Sequence, residues 1–156
     1  RLSRRWCRNF RVWINSMDTT VISPLEAFAF LDSDETSTYV DVRAVAEFAA
    51  GHPKTSKIVN IPWVFFHPTT KATHPNDSFL LVVNDVFAKD AALILGADDG
   101  PRAEQAAAAL QADGFTNVKS MSHGTAGWVK FNFATTADNR PGVSYVSLLT
   151  PAKRRK

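Results

Sequence analysis

The chain of 156 residues holds a single cysteine, Cys7, so no disulfide framework can form within it. Its four histidines have no cysteine partner nearby, which excludes a zinc module built on paired Cys and His ligands. No apolar run approaches the roughly 18–20 residues that span a bilayer as a helix. Acid is missing from both ends. Residues 1–16 carry Arg1, Arg4, Arg5, Arg8 and Arg11 without one Asp or Glu, and the chain closes on Lys153, Arg154, Arg155 and Lys156. With those nine charges set aside, residues 17–152 hold nine basic residues against fifteen acidic ones, a net charge of −6 beneath an overall +3. The pattern is an acidic globule with two basic arms rather than a basic domain. At 45% apolar and 21% charged, the chain has the composition of one domain with a real core.

Residues 1–19 read as a basic amphipathic arm. Leu2, Trp6, Phe10 and Trp13 recur at helical spacing to form one apolar stripe, with Arg4, Arg8 and Arg11 on another face. An Arg-rich, acid-free, amphipathic start is also how a mitochondrial transit peptide looks, and we expect this one to be retained. Folded structure begins at Ser23-Pro24-Leu25-Glu26, a capping box with Pro at the first helical position, and Leu25, Phe28 and Leu31 are expected to face the core. Residues 38–42 read as a buried strand. A short helix over 45–50 is closed by Gly51 in a left-handed conformation, and residues 58–61 form a second strand.

Residues 63–78, with Pro68, Pro75, His67 and His74, read as a long loop. A helix over 78–87 precedes a central strand over 91–95 that lacks alternation, as parallel buried strands do. Residues 103–112 form an alanine-rich helix ending at Gly114, residues 118–121 a last strand, and Trp128 sits in a final short helix. Beyond residue 134 the only pattern is Val143–Leu149, read as an extra strand or an extension. Strands alternating with helices imply a parallel sheet covered on both faces.

The order of short motifs resembles the rhodanese (sulfurtransferase) domain family. Asp41-Val42-Arg43, Glu47-Phe48, Gly51-His52-Pro53 and Asn60-Ile61-Pro62 are similar to its first half. Gly100-Pro101-Arg102, Gly114-Phe115-Thr116-Asn117-Val118, and Gly124, Gly127 and Trp128 are similar to its second. The resemblance implies an α/β fold of three layers, α/β/α, around a small central parallel sheet, with the domain over 20–131 and a C-terminal extension with a basic tail over 132–156. It also implies a nucleophilic cysteine five residues before Arg102, whose thiolate takes a sulfane sulfur within a loop of backbone N–H donors. Alanine stands there, Ala97. Asp98 and Asp99 add negative charge where an anionic substrate would sit, and Pro101 removes a donor.

The degenerate loop Ala97, Asp98, Asp99, Gly100 and Arg102 therefore leads us to expect no enzyme, no cofactor, no metal and no small-molecule substrate. Asp98 or Asp99 reads as a helix cap. Asp41 and Arg43 are expected to pair and tie the strand end to the helix. His52, His123 and Trp128 read as structural residues.

The arms suggest partners. Arg1, Arg4, Arg5, Arg8, Arg11, Lys153, Arg154, Arg155 and Lys156, with Trp6 and Trp13 interleaved, suit an anionic polymer, since Arg contacts phosphate and aromatic rings stack on unpaired bases. We expect a docking subunit of a large mitochondrial assembly, foremost a ribosome or related ribonucleoprotein. The alternatives are an accessory subunit of a mitochondrial membrane complex, with the arm on anionic lipid or on an acidic protein surface, and a sulfurtransferase using an unconventional thiol such as Cys7.

Overall fold

A computed structural model describes residues 20–98 and 100–156. Strand β1 (Thr20–Ile22) turns at Ser23 into helix α1 (Pro24–Ser33). The capping box closes as the sequence implies: the Ser23 hydroxyl accepts from the Glu26 N–H at 3.1 Å, and the Glu26 carboxylate accepts from the Ser23 N–H at 2.8 Å. Next come β2 (Thr38–Asp41), α2 (Val45–Ala50), β3 (His52–Pro53) and β4 (Ile58–Asn60). A hairpin of β5 (Val64–Phe66) and β6 (Thr73–Pro75) leads to α3 (Phe79–Val86) and β7 (Leu93–Gly96). The chain ends with α4 (Gly100–Ala112), β8 (Val118–Met121), α5 (Gly124–Lys130), β9 (Thr135–Thr136) and α6 (Tyr145–Arg154).

Five strands form one parallel sheet in the order β1-β8-β7-β2-β4. β2 and β7 are buried at every position, because helices cover both sheet faces and leave neither side in need of polar residues. α3, α4 and α6 pack on one face around Val40, Val42, Leu95, Ala106 and Leu110. α1 and α5 cover the other face over a smaller cluster that includes Ile22, Leu31, Tyr39, Met121 and Trp128. This is the three-layer α/β/α arrangement around a central parallel sheet. Gly96 is required where β7 ends: a Cβ there would lie 1.7 Å from the Tyr39 Oη.

Four local expectations are corrected. The buried face of α1 is Pro24, Ala27 and Leu31; Leu25 and Phe28 are exposed. The helix is rotated by one position because Pro24 seats against Gly127, where a side chain would come within 2.9 Å of the proline ring. The long loop contains the β5–β6 hairpin, held by tertiary packing of Phe65 at 5.9 Å from Tyr145, a contact with no local sequence signal. Val143–Leu149 is no strand: most of it lies in α6, whose Tyr145, Leu148, Leu149 and Ala152 form a helical stripe against the larger core. Pro151 hides that stripe, because it sits inside the helix where a breaker would be read. Gly51 has φ +151° and ψ 142°, not a left-handed helix cap. The segment 132–156 is packed onto the body, through β9 on β3 and α6 against α3.

Candidate functional site

The parallel strands β2 and β7 bring Asp41 and Gly96 into register, so Arg43 and Asp98 emerge side by side at the C-terminal edge of the sheet. In such sheets that edge is where ligands bind. Arg43 is nearly buried against a fully buried Asp41. Its Nε donates to both Asp41 carboxylate oxygens at 3.0 and 3.2 Å, and its Nη2 donates to Oδ2 at 2.8 Å and to the Gly51 carbonyl at 2.7 Å. The expected tie from strand end to α2 is present. Asn60 secures the same corner, its Nδ2 donating to the carbonyls of Asp41 and Arg43 at 3.0 Å each.

The turn between β7 and α4 is short. Ala97 is fully buried in the larger core, and its carbonyl accepts from the Thr125 N–H at 2.8 Å. Gly124 makes this approach possible, because a Cβ at its φ of +52° would lie 1.8 Å from that carbonyl oxygen. The Asp98 carboxylate lies between two guanidiniums, 3.3 Å from Arg43 Nη1 and 3.9 Å from Arg102 Nη2. Arg102 reaches across to α2 and donates to both Glu47 oxygens at 2.9 and 3.0 Å. Its guanidinium also stands 5.5 Å from the Phe66 ring, and Trp63 Nε1 donates to Gln105 at 3.3 Å, so the hairpin flanks this site.

Three carboxylates and two guanidiniums thus form one ion-pair network across β2, α2 and the start of α4. Burial, then a hydrogen bond with Glu47, pushes the Asp98 carboxyl above its ordinary range. Burial acts in the same direction on Glu47, but hydrogen bonds with Arg102 and Asp98 outweigh it and hold that carboxyl below its ordinary range. Of the two neighbouring carboxyls, Asp98 takes the proton first. The arginines that would attract an anion already have carboxylate partners, and alanine occupies the position the resemblance assigns to the nucleophile.

Of the loop residues singled out by sequence, Ala97, Asp98 and Arg102 come together, with Gly100 opening α4; Asp99 lies outside the described residues. The Asp98 carboxylate is turned to the two arginines, and the alternative cap, Asp99, lies outside the described residues. Arg1, Arg4, Arg5, Trp6, Cys7, Arg8, Arg11 and Trp13 also lie outside the described residues. At the other end Lys153, Arg154, Arg155 and Lys156 are all exposed, and Arg155 donates to Asp85 of α3 through two hydrogen bonds of 2.6 and 2.5 Å. That exposed pair ties the end of α6 to α3.

Glu47 was not anticipated as a member of this site: 55 residues separate it from Arg102, and its place in a short motif carried no sign of that pairing. Among the described residues, no three His, Cys, Asp or Glu side chains are placed to hold a metal ion. His52 is fully buried, stacked on Phe48 at 3.8 Å and hydrogen-bonded to the carbonyls of Pro53 and Asp138. Trp128 is core, donating to the Ala134 carbonyl at 2.8 Å.

Comparison with known proteins adds the deciding observation: the family model described as "Rhodanese-like domain" matches residues 24–131. The chain belongs to the rhodanese-like family. Among related rhodanese-like proteins is Thiosulfate sulfurtransferase 18 of Arabidopsis thaliana, 31% identical over 107 residues that cover 68% of this chain and 77% of the relative. Another from the same plant, Protein HIGH ARSENIC CONTENT 1, mitochondrial, is 32% identical over 117 residues, covering 75% of this chain and 66% of that one. The crystal structure of Rv0390 from M. tuberculosis shares the rhodanese-like fold with a TM-score of 0.62 at 22% identity, covering 77% of this chain and 98% of that one.

Proposed function

We propose that this rhodanese-like domain does not transfer sulfur and serves as a docking subunit of a larger mitochondrial assembly, with its basic ends meeting RNA. The observation that carries the first half is the Asp98 carboxylate, set beside both Arg43 and Arg102 next to Ala97. A thiosulfate anion entering there meets fixed negative charge and no nucleophile. Asp98 supplies the anion that these two guanidiniums would otherwise attract.

The second half rests on charge. Five arginines precede residue 17, and Lys153, Arg154 and Lys156 are exposed at the other end, against an acidic body. If those eight charges meet phosphate, the log–log salt slope for single-stranded RNA is at most about −6. A mitochondrial location is supported by the acid-free arm and by the printed name of one relative. Sedimentation of the tagged chain from a gentle organelle lysate, with and without RNase, tests this. Co-migration with a ribosome-sized particle that RNase disperses is expected. A particle indifferent to RNase but dispersed by detergent assigns the chain to a membrane complex, and migration as a free 17.2 kDa protein removes the assembly reading.

A second reading is favoured by the relative named as a thiosulfate sulfurtransferase: sulfur transfer through Cys7. Cyanide-dependent thiosulfate turnover that disappears in Cys7→Ser would establish it.

A further inference from the structure

Strand β4 is an edge of the five-stranded sheet, with β2 on one side only. In their parallel pairing Tyr39 lies opposite Ile58 and Asp41 opposite Asn60. The Tyr39 N–H donates to the Lys57 carbonyl and the Ile61 N–H to the Asp41 carbonyl, at 3.0 Å each. That register turns the main-chain N–H and C=O of Ile58 and Asn60 away from β2. The Asn60 N–H finds the Val143 carbonyl at 2.9 Å. Two residues earlier, among the described residues, neither main-chain group of Ile58 has such a partner. Ile58 instead lines a cleft of about 460 Å³ between the β4 edge and the segment 136–143. A cleft of that size is within the range that holds ligands, roughly 300–1,000 Å³. Val59, Phe87 and Val143 give it an apolar wall, and Thr55, Ser56 and Thr136 add hydroxyl groups.

Charge selects the occupant. Lys54, Lys57 and Arg140 are exposed on this cleft, and Asp138 is the one acid that lines it. Arg140 pairs with Asp138 at 3.4 Å, whereas Lys54 and Lys57 have no carboxylate in contact among the described residues. Other acids stand near the two lysines. Asp32 and Glu35 share a neighbouring cleft with Lys54, and Asp34, already held by Thr36 and Ser37, feels the charge of Lys57. His52, in the same lining, is fully buried and hydrogen-bonded to carbonyls. The lining itself therefore carries three bases against one acid, on a body whose net charge is −6.

We propose that the β4 edge is a docking slot for an extended acidic segment of a partner protein, which joins the sheet there as a further strand. The main chain of that segment exchanges hydrogen bonds with the Ile58 N–H and C=O, and its carboxylates meet Lys54 and Lys57. An extended segment fits where a helix does not, because a helix satisfies its own main chain and leaves the Ile58 groups unpaired. Thr38 and Ile58, which line the slot, begin their strands, so it lies at the opposite end of the sheet from the Asp98 loop. The contact stands whether or not the basic ends meet RNA.

The test titrates the full chain with a blocked short peptide alternating valine and glutamate, and with its valine–lysine counterpart, while backbone amide exchange is followed by NMR. The glutamate peptide is expected to bind and to slow exchange of the outward-facing Ile58 amide. The Val59 amide, turned to β2, should be protected with or without peptide. Lys54→Glu/Lys57→Glu, at exposed positions, should weaken binding by about tenfold or more and leave the unfolding midpoint little changed. Ile58→Pro removes the outward N–H without breaking the β2 ladder and should abolish binding, with thermal unfolding as the check that it folds. Absence of Ile58 protection at millimolar peptide, equal binding of the lysine peptide, or binding unchanged in the double-lysine variant overturns the proposal. So does full displacement of the peptide by N-acetylglutamate at equal concentration, which would make the cleft a site for small acids. Ile58 protection that rises with protein concentration in the absence of peptide would make a second copy the occupant and overturn it too.

Discussion

Arg43 is held by the Asp41 carboxylate and the Gly51 carbonyl with almost no access to water, so replacing it by methionine strands a buried carboxylate. Arg43→Met is expected to cost about 3–5 kcal/mol in denaturant unfolding, a loss far above that of a surface ion pair. Asp98 and Glu47 respond to pH in opposite directions. The Asp98 carboxyl titrates higher in the fold than in the unfolded chain, so it imposes a penalty that sets in as pH rises through its raised value. Asp98→Asn should therefore stabilise at neutral pH, by under about 1 kcal/mol because the group is half exposed, and should lose that effect below about pH 4. Glu47 titrates lower in the fold, so its stabilisation is present above the ordinary carboxylate range and is lost as pH falls through the depressed value. Glu47→Gln should destabilise at neutral pH, with the cost fading in acid. Unfolding free energies of the two variants between about pH 3 and 7 should run in opposite senses. Asp41, Arg43, Ala97, Asp98 and Arg102 were legible as single residues; that Asp98 would turn to the arginines was not, because its partners come from three separate elements.

At the level of elements, the turn into α5 joins strain to close packing. His123 holds φ +59° without being glycine, and Gly124 follows at φ +52° beneath the Ala97 carbonyl. His123→Gly is expected to raise stability by up to about 1 kcal/mol by relieving a left-handed residue. Gly124→Ala must move the Ala97 turn and is expected to cost upwards of about 3 kcal/mol, read by thermal unfolding. Arg155→Ala removes an exposed pair with Asp85 and should change stability by less than about 1 kcal/mol. The same scale shows what local sequence can carry. The α1 capping box and the unalternating strands β2 and β7 were readable because their causes lie within a few residues. The rotation of α1, the hairpin and α6 were misread because Gly127, Tyr145 and the α3 surface decide them from a distance.

For the whole molecule, the proposed docking role rests on the acidic body and the basic ends. The order of family motifs was enough to place the fold and the loop. It was not enough to reveal the ion-pair network, since Glu47 and Arg102 meet only once β2 and β7 are paired and α2 and α4 follow them. The uncovered face of α1 and α5 was equally hidden, because Leu25 and Phe28 looked like core in sequence. The central claim is the absence of sulfur transfer, and the most direct measurement is cyanide-dependent thiosulfate turnover by the purified intact chain, with Cys7→Ser alongside. The account predicts no turnover above the uncatalysed rate in either protein. Turnover by the intact chain that is lost in Cys7→Ser would contradict it and make the arm, rather than the loop, the seat of the chemistry.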